Sequence, residues 1–163
     1  ILGGFTLVRS YQPLDILKIK SPNDLYATII HPQIEVKTSD SRAVLKNQVS
    51  LKKLVIQMGN FGGLISGLYT NDYDLIGRSL HDEIIEPNRL VLIPEFNKVK
   101  KGVIQAGALG AGISGSGPSI FALSKGEETA ELVGKKMAEI YNNTGIDYDI
   151  HVSKINQQGI KIL

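Results

Sequence analysis

Hydrophobic and polar positions follow two periods along this chain, and the changes of period divide it into elements. Residues 5–20 hold short β-leaning runs, with Phe5 and Leu7 parted from Leu14, Ile16 and Ile19 near Gln12-Pro13. They read as a hairpin-like pair of strands. After the turn cluster Ser21-Pro22-Asn23-Asp24, Leu25 to Ile30 is a near-continuous apolar run, the mark of a buried strand, ended by His31-Pro32. Thr38 predicts the N-cap of a short helix reaching Asn47, and Ser50 that of a second. From Leu51 to Leu68 apolar residues recur at steps of three and four, one face of an amphipathic helix. Gly59, Gly62, Gly63 and Gly67 fall inside it. Each costs about 1 kcal/mol relative to Ala, so four imply close packing on another backbone or a break.

A further helix is predicted at 72–80, and Phe96, Val99, Val103 and Ile104 mark another, ending near Gly110. Residues 111–119 are small and glycine-rich and run into Ser119 to Leu123, a buried strand candidate. Glu127 to Asn143 is the cleanest helix, with acidic residues at its start and Gly145 at its close. Tyr148, Ile150 and Val152 alternate with polar residues as a half-buried strand, and 159–163 reads as a last edge strand. From residue 25 the order is strand, several helices, two strands, helix, strand. That order predicts an α+β fold, a ferredoxin-like βαββαβ sandwich with extra helices, its antiparallel sheet carrying helices on one face.

Composition narrows the class. At 163 residues, 42% hydrophobic and 21% charged, the chain is one globular domain, or one domain with a piece of a neighbour. It has no Cys, which excludes disulfides, thiolate zinc sites and cysteine nucleophiles. A net charge of +2 is too small to argue for nucleic acid and fits an anionic small-molecule site. No apolar run approaches the roughly 20 residues of a membrane span. Ile1-Leu2-Gly3-Gly4 has neither a charged n-region nor a small-residue cleavage site, so a cytoplasmic protein is expected. The missing initial Met suggests a piece of something longer.

Three groups of residues could carry chemistry. Gly110, Gly112 and Gly115 satisfy the letter of G-x-G-x-x-G, but the stretch follows a helix and opens a strand, the reverse of a dinucleotide fingerprint. It has no Walker lysine, and its spacing fails a nucleophile elbow. What remains is an anion-binding nest of backbone N–H groups or a tight helix–strand crossing, and the residues alone do not choose. Only four arginines occur: Arg9, Arg42, Arg78 and Arg89. Thr38 and Arg42 are four apart, hence on one helix face. Arg89 sits just before the apolar Leu90-Val91-Leu92-Ile93-Pro94, on the shoulder of a buried segment. Guanidinium groups suit bidentate capture of carboxylate or phosphate, against the plainer reading of solvated charges. His31, His81 and His151 show no metal spacing; His81-Asp82-Glu83 reads as a polar helix end. Lys98, Lys100 and Lys101 read as a solvated helix face.

Read together, these stretches resemble a family. Ile113-Ser114-Gly115-Ser116-Gly117-Pro118-Ser119-Ile120-Phe121-Ala122 is similar to the third conserved motif of the GHMP kinases, a superfamily of small-molecule kinases. The run His31 to Arg42, with Thr38-x-x-x-Arg42, resembles the homoserine kinase branch. So do Leu75-Ile76-Gly77-Arg78, Glu86-Pro87-Asn88-Arg89 and Leu92-Ile93-Pro94. Ile1-Leu2-Gly3-Gly4-Phe5 looks like the tail of that branch's Asn-x-Ala-Pro-x-x-x-Gly-Gly segment. The resemblance covers nearly the whole chain, in family order. It implies transfer of a phosphoryl group from Mg-ATP to the hydroxyl of L-homoserine, on the route to threonine. Arg42 and Arg89 then resemble the arginines on the substrate carboxylate, with Thr38 in support and Gly115 at the substrate. Ser114, Ser116 and Gly117 would shape the phosphate side. No catalytic base and no metal ligand is assigned.

The family's ATP loop, Pro-x-x-x-Gly-Leu-Gly-Ser-Ser, does not occur in the sequence. The resemblance places it, with acidic residues linked to Mg²⁺, in an N-terminal half. Residues 1–22 are then expected to be residual strands of that N-terminal domain, and 23–163 the C-terminal domain. ATP and Mg²⁺ belong to the complete enzyme, neither bound tightly here, and the chain alone is expected to be inactive. A separately encoded N-terminal partner and a homo-oligomer are the expected partners. The alternatives are another GHMP kinase of mevalonate type, a non-catalytic amino-acid-binding regulatory module, and a subunit-interface role.

Overall fold

The computed structural model describes residues 2–160. Its elements are β1 (Phe5–Tyr11), β2 (Leu14–Ile19), β3 (Leu25–Pro32), α1 (Thr38–Ala43), α2 (Leu51–Thr70), α3 (Tyr73–Ser79), α4 (Glu86–Arg89), α5 (Phe96–Gln105), β4 (Gly110–Ile113), β5 (Ile120–Lys125), α6 (Glu127–Tyr141) and β6 (Tyr148–Lys154). A 3₁₀ turn, Leu90–Leu92, follows α4. Strands β1 and β2 form a separate antiparallel hairpin, as their β-leaning runs predict. The other four make one sheet in the order β4-β5-β3-β6, antiparallel throughout, the ferredoxin-like arrangement expected from the element order.

Register assigns each side chain a face. Ile30 pairs with Ile120 on one side and Ile150 on the other, so the three share a face. With Ala122 they meet Val99 and Val103 of α5 and Val133 and Met137 of α6 in one buried cluster. The fully buried Thr28 hydroxyl donates to the Ala130 carbonyl at 2.9 Å and joins α6 to the central strand. Tyr141 closes the far end, donating its hydroxyl to the Pro94 carbonyl at 2.7 Å. Burial, then the nearby Glu95 carboxylate, pushes its pKa up to about 12.

The opposite face is not bare. Leu25 and Leu123 point there and pack with Ile19, Leu68 of α2 and Ile76 of α3 in a second core. The expectation of helices on one face is therefore corrected: α5 and α6 cover one side, and α2 and α3 lie against the other. The period of α2 tells which of its residues are apolar, not which sheet face receives them.

Helix α2 runs unbroken through its four glycines. Gly63 and Gly67 do pack closely: a Cβ there would stand 2.4 Å from Ser79 Oγ and 2.9 Å from Ile76 N. Gly59 and Gly62 face open space instead. Ser50 caps α2, accepting from Lys53 N at 3.4 Å. Helix α1 departs from its reading. Its N-cap is Lys37, not Thr38, and it stops at Ala43. Lys37 is extended and its carbonyl takes the first N–H groups, so the Thr38 side chain has no capping role. The segment after Arg89, expected to be buried, leaves Val91 72% exposed, because the 3₁₀ turn throws it outward. Gly159 and Ile160 form no strand, and the rest of the expected edge strand lies outside the described residues.

Candidate functional site

The glycine-rich stretch becomes strand β4 and the loop that returns it to β5. Ser114 N donates to Ser119 O at 2.8 Å, and Gly117 N to Ser114 O at 3.0 Å, closing the loop at its base. Gly115 at its tip has φ +61°, a left-handed conformation that strains any residue with a Cβ. Among the described residues the Gly115 and Ser116 N–H groups have no backbone acceptor.

Two contacts tie that tip to elements distant in sequence. The buried Ser41 of α1 donates its hydroxyl to the Ser116 carbonyl at 2.7 Å. Arg89 at the end of α4 donates Nε to the Ser41 carbonyl at 3.1 Å and Nη1 to the Gly115 carbonyl at 3.0 Å. One guanidinium thus fastens α1 to the loop. Among the described residues two of its five N–H donors are spent, and three remain.

Arg89 is itself held from behind. Asp82 accepts from the backbone N–H groups of Ile84 and Ile85 at 2.8 Å each and of Glu86 at 3.3 Å, fixing the approach to α4. The next anchor is Glu86, whose Oε1 meets Lys100 Nζ of α5 at 2.5 Å, with side chains only 11% and 21% exposed. The lysine run is therefore not a plain solvated face. Lys98 pairs with Glu95 at the surface, but Lys100 neutralises a buried carboxylate beside the site. Sequence pattern does not single out Asp82, Glu86, Lys100 or Ser41 as site residues. The signal available for Asp82 was an acidic residue two to four positions before a helix turn; for the others the sequence carries none.

A cavity of about 260 Å³ opens beside Arg89 and Gly115, walled by Phe121 and Gly112 of the sheet, Leu64 of α2 and Glu86. It is smaller than the roughly 300–1,000 Å³ of drug-sized pockets, which suits a small polar molecule. Of the predicted residues, Arg89 and Gly115 line the cavity, and Ser116 is joined to them through its carbonyl contact with Ser41. Arg42 and Thr38 are exposed on α1 and do not line the cavity. Ser114 is exposed and Gly117 sits under Ile93 at the loop base. His31 Nδ1 is 2.8 Å from Ser119 Oγ, a structural contact at the strand end, and His151 lies on the exposed face of β6. Among the described residues no group of three His, Cys, Asp or Glu could hold a metal ion, and no helix is long and apolar enough to cross a membrane.

The same architecture occurs in known proteins. The family described as GHMP kinases C terminal matches residues 64–143. The homoserine kinase of Chlorobium phaeobacteroides strain BS1 is 50% identical over 165 residues, which cover 100% of this chain and 52% of that protein. That of Chlorobaculum tepidum is 48% identical, over 100% of this chain and 51% of its own length. The crystal structure of homoserine kinase from Cytophaga hutchinsonii matches with a TM-score of 0.94 at 55% identity, over 97% of this chain and 50% of that one. The chain spans about half the length of the curated relatives it matches.

Proposed function

We propose that the chain carries the C-terminal domain of a GHMP kinase and supplies the carboxylate-binding side of a homoserine kinase site. The reaction is phosphoryl transfer from Mg-ATP to the L-homoserine hydroxyl, a step of threonine biosynthesis, in the cytoplasm. The observation that carries the reading is Arg89, held by two backbone carbonyls at the mouth of a small cavity with three N–H donors left over. A guanidinium pinned at two corners is pre-organised for a carboxylate, and little rotamer entropy remains to be lost on binding.

The geometry supports a role for Arg89 and Gly115, and the family resemblance supplies the others. Arg89 takes the substrate α-carboxylate, and Gly115 offers a bare backbone against which a small amino acid lies. Arg42 and Thr38, one turn apart on α1, approach the same carboxylate from the solvent side once substrate is present. Ser114, Ser116 and Gly117 shape the loop toward the transferred phosphate. The hydroxyl oxygen forms the new bond to the γ-phosphorus as the bond to the β-bridging oxygen breaks, releasing ADP and one proton. Such a transfer asks the protein chiefly for alignment and charge stabilisation. The ATP loop and the Mg²⁺-linked carboxylates come from an N-terminal kinase half, to which the β1–β2 hairpin, within residues 1–22, belongs; residues 23–163 are the C-terminal domain.

The test mixes the 163-residue chain with an N-terminal half from a homoserine kinase and follows ADP release. Neither piece alone is expected to turn over; together they phosphorylate L-homoserine in preference to mevalonate. Turnover by the chain alone, or a preference for mevalonate, would overturn the reading.

A further inference from the structure

Gly3 and Gly4 lead into the β1–β2 hairpin, and the kinase reading gives them no role. Both have left-handed backbone, with φ +70° and +65°, a conformation that favours glycine. The reason lies in residues 155–159, which follow β6 and cross directly over the two glycines. An added Cβ on Gly3 would collide with Gly159 N and stand 2.8 Å from Asn156 O; one on Gly4 would stand 3.0 Å from Gln157 Oε1. With no Cβ in the way, Gly4 N donates to the Asn156 carbonyl at 2.6 Å.

The crossing segment is tied on both sides. On the hairpin, Lys18 of β2 donates Nζ to the Gln157 carbonyl at 2.8 Å. On the four-stranded sheet, Ile155 N donates to the Leu25 carbonyl of β3 at 3.0 Å. Gln157 Nε2 donates to Oγ of the buried Ser21, in the turn cluster before β3, at 2.7 Å. Asn156 shapes the segment itself, its Oδ1 accepting from Gln158 N at 2.9 Å and its Nδ2 donating to the Gly159 carbonyl at 2.8 Å.

The hairpin has little else to fix its direction. Two strands alone are marginal. Its share of the second core, Phe5, Leu7 and Ile19, acts as a pivot, because hydrophobic contact is non-directional. Among the described residues the one polar tie from the hairpin to the rest of the fold outside this segment is the Tyr69 hydroxyl on the Lys18 carbonyl, a long 3.5 Å.

We propose that residues 155–159 are a strap that sets the angle of the hairpin on the sheet, which makes Gln157 a positioning residue of the phosphoryl transfer. This rests on the kinase reading above: the hairpin belongs to the half that carries the ATP loop, whereas Arg89 and Gly115 stand with the four-stranded sheet. The strap therefore fixes the phosphoryl donor relative to the acceptor hydroxyl. In-line transfer tolerates little error, a misplacement of about 1 Å costing on the order of 100-fold. Gln157 does not line the cavity beside Arg89, so it acts through alignment alone.

Gln157→Ala removes the bond to Ser21 at a half-buried position and leaves the strap backbone in place. In the chain reconstituted with an N-terminal kinase half, kcat for L-homoserine is expected to fall at least about 10-fold. Both KM values should hold within about 2-fold, because each half keeps its own binding groups, a split that lost stability alone would not produce. Gln157→Glu, whose carboxylate can accept from the Ser21 hydroxyl, should restore kcat to within about 3-fold of the parent. In the 163-residue chain by itself, amide exchange across Phe5–Ile19 should quicken at least about 10-fold in Gln157→Ala, with β3 and β5 unchanged. Gly3→Ala, which pushes on the strap from the hairpin side, should do the same. An unchanged kcat, a fall in kcat matched by a rise in the KM for homoserine, or hairpin exchange equal to the parent's would each overturn the proposal. Absence of turnover in the parent pair would overturn the kinase reading instead, while quickened hairpin exchange would still uphold the strap.

Discussion

Replacing Ser41 by Ala removes one hydroxyl and leaves the shape of α1 intact. Among the described residues that hydroxyl makes the one side-chain bond from α1 to the glycine-rich loop, at 2.7 Å to the Ser116 carbonyl, in a residue that is 0% exposed. A neutral hydrogen bond of this kind contributes about 0.5–1.5 kcal/mol net, and a stranded buried partner raises the loss to about 1–3 kcal/mol. Ser116 is half-buried, so water can reach part of its carbonyl, and a cost near 1.5 kcal/mol is expected. For a domain of this size that lowers the melting temperature by about 3–6 °C. The effect should extend to the site, because the Ser41 carbonyl also accepts Arg89 Nε at 3.1 Å. In the complete enzyme the KM for L-homoserine should rise several-fold while the KM for ATP holds. Arg42→Ala, one residue along and exposed, is the control, with stability unchanged within about 0.5 kcal/mol. Calorimetry and initial-rate kinetics read both. If Ser41→Ala melts with the parent, or if both KM values rise together, the loop is not held through α1 and the reasoning fails.

Three further outcomes follow from the same geometry. Lys100→Met strands the buried Glu86 carboxylate and should cost about 3 kcal/mol in urea unfolding. Lys136→Met, whose partner Glu139 is 66% exposed, should stay within about 0.5 kcal/mol; equal losses would contradict the burial argument. Gly110→Ala puts a Cβ 2.4 Å from Leu80 Cβ and should destabilise by about 1–3 kcal/mol, whereas Gly59→Ala, with open space around it, should gain about 0.5–1 kcal/mol; denaturant midpoints that rank them otherwise would refute this. Tyr141, raised from 10.0 to about 12, favours the folded state while neutral: its contribution is full below pH 10 and is lost as pH rises toward 12. The two-unit shift corresponds to about 3 kcal/mol, so Tyr141→Phe should remove that much of the alkaline loss of stability; an identical alkaline profile in the variant would contradict it.

Where a periodic face meets one core, the elements were legible. Leu25 to Ile30, the stripe of α6 and the alternation at Tyr148–Val152 all appear where their spacing puts them. The 3.6-residue period of α2 was legible too, but not the division of its apolar residues between a buried and an exposed face, which depends on α3 arriving from outside the window. The Thr38 cap misled because Lys37 supplies the first acceptor through its backbone carbonyl, which any residue can do. Lys100 looked solvated because its partner, Glu86, lies 14 residues away on another element. Ser41 was invisible for the same reason, its acceptor being 75 residues distant. The meeting of Arg89 with Gly115 came from a family resemblance, since a contact across 26 residues leaves no trace in local pattern.

The most direct measurement compares L-homoserine with its decarboxylated analogue as phosphoryl acceptors, in the parent enzyme and in Arg89→Ala. With Arg89 on the carboxylate, the substitution should lower kcat/KM for homoserine by about 100-fold, the worth of a charged hydrogen-bonded pair. It should leave the analogue within about 3-fold, because the group that Arg89 holds is already gone. Equal losses for both acceptors would mean that Arg89 only braces α1 against the loop, and that the substrate carboxylate is bound elsewhere.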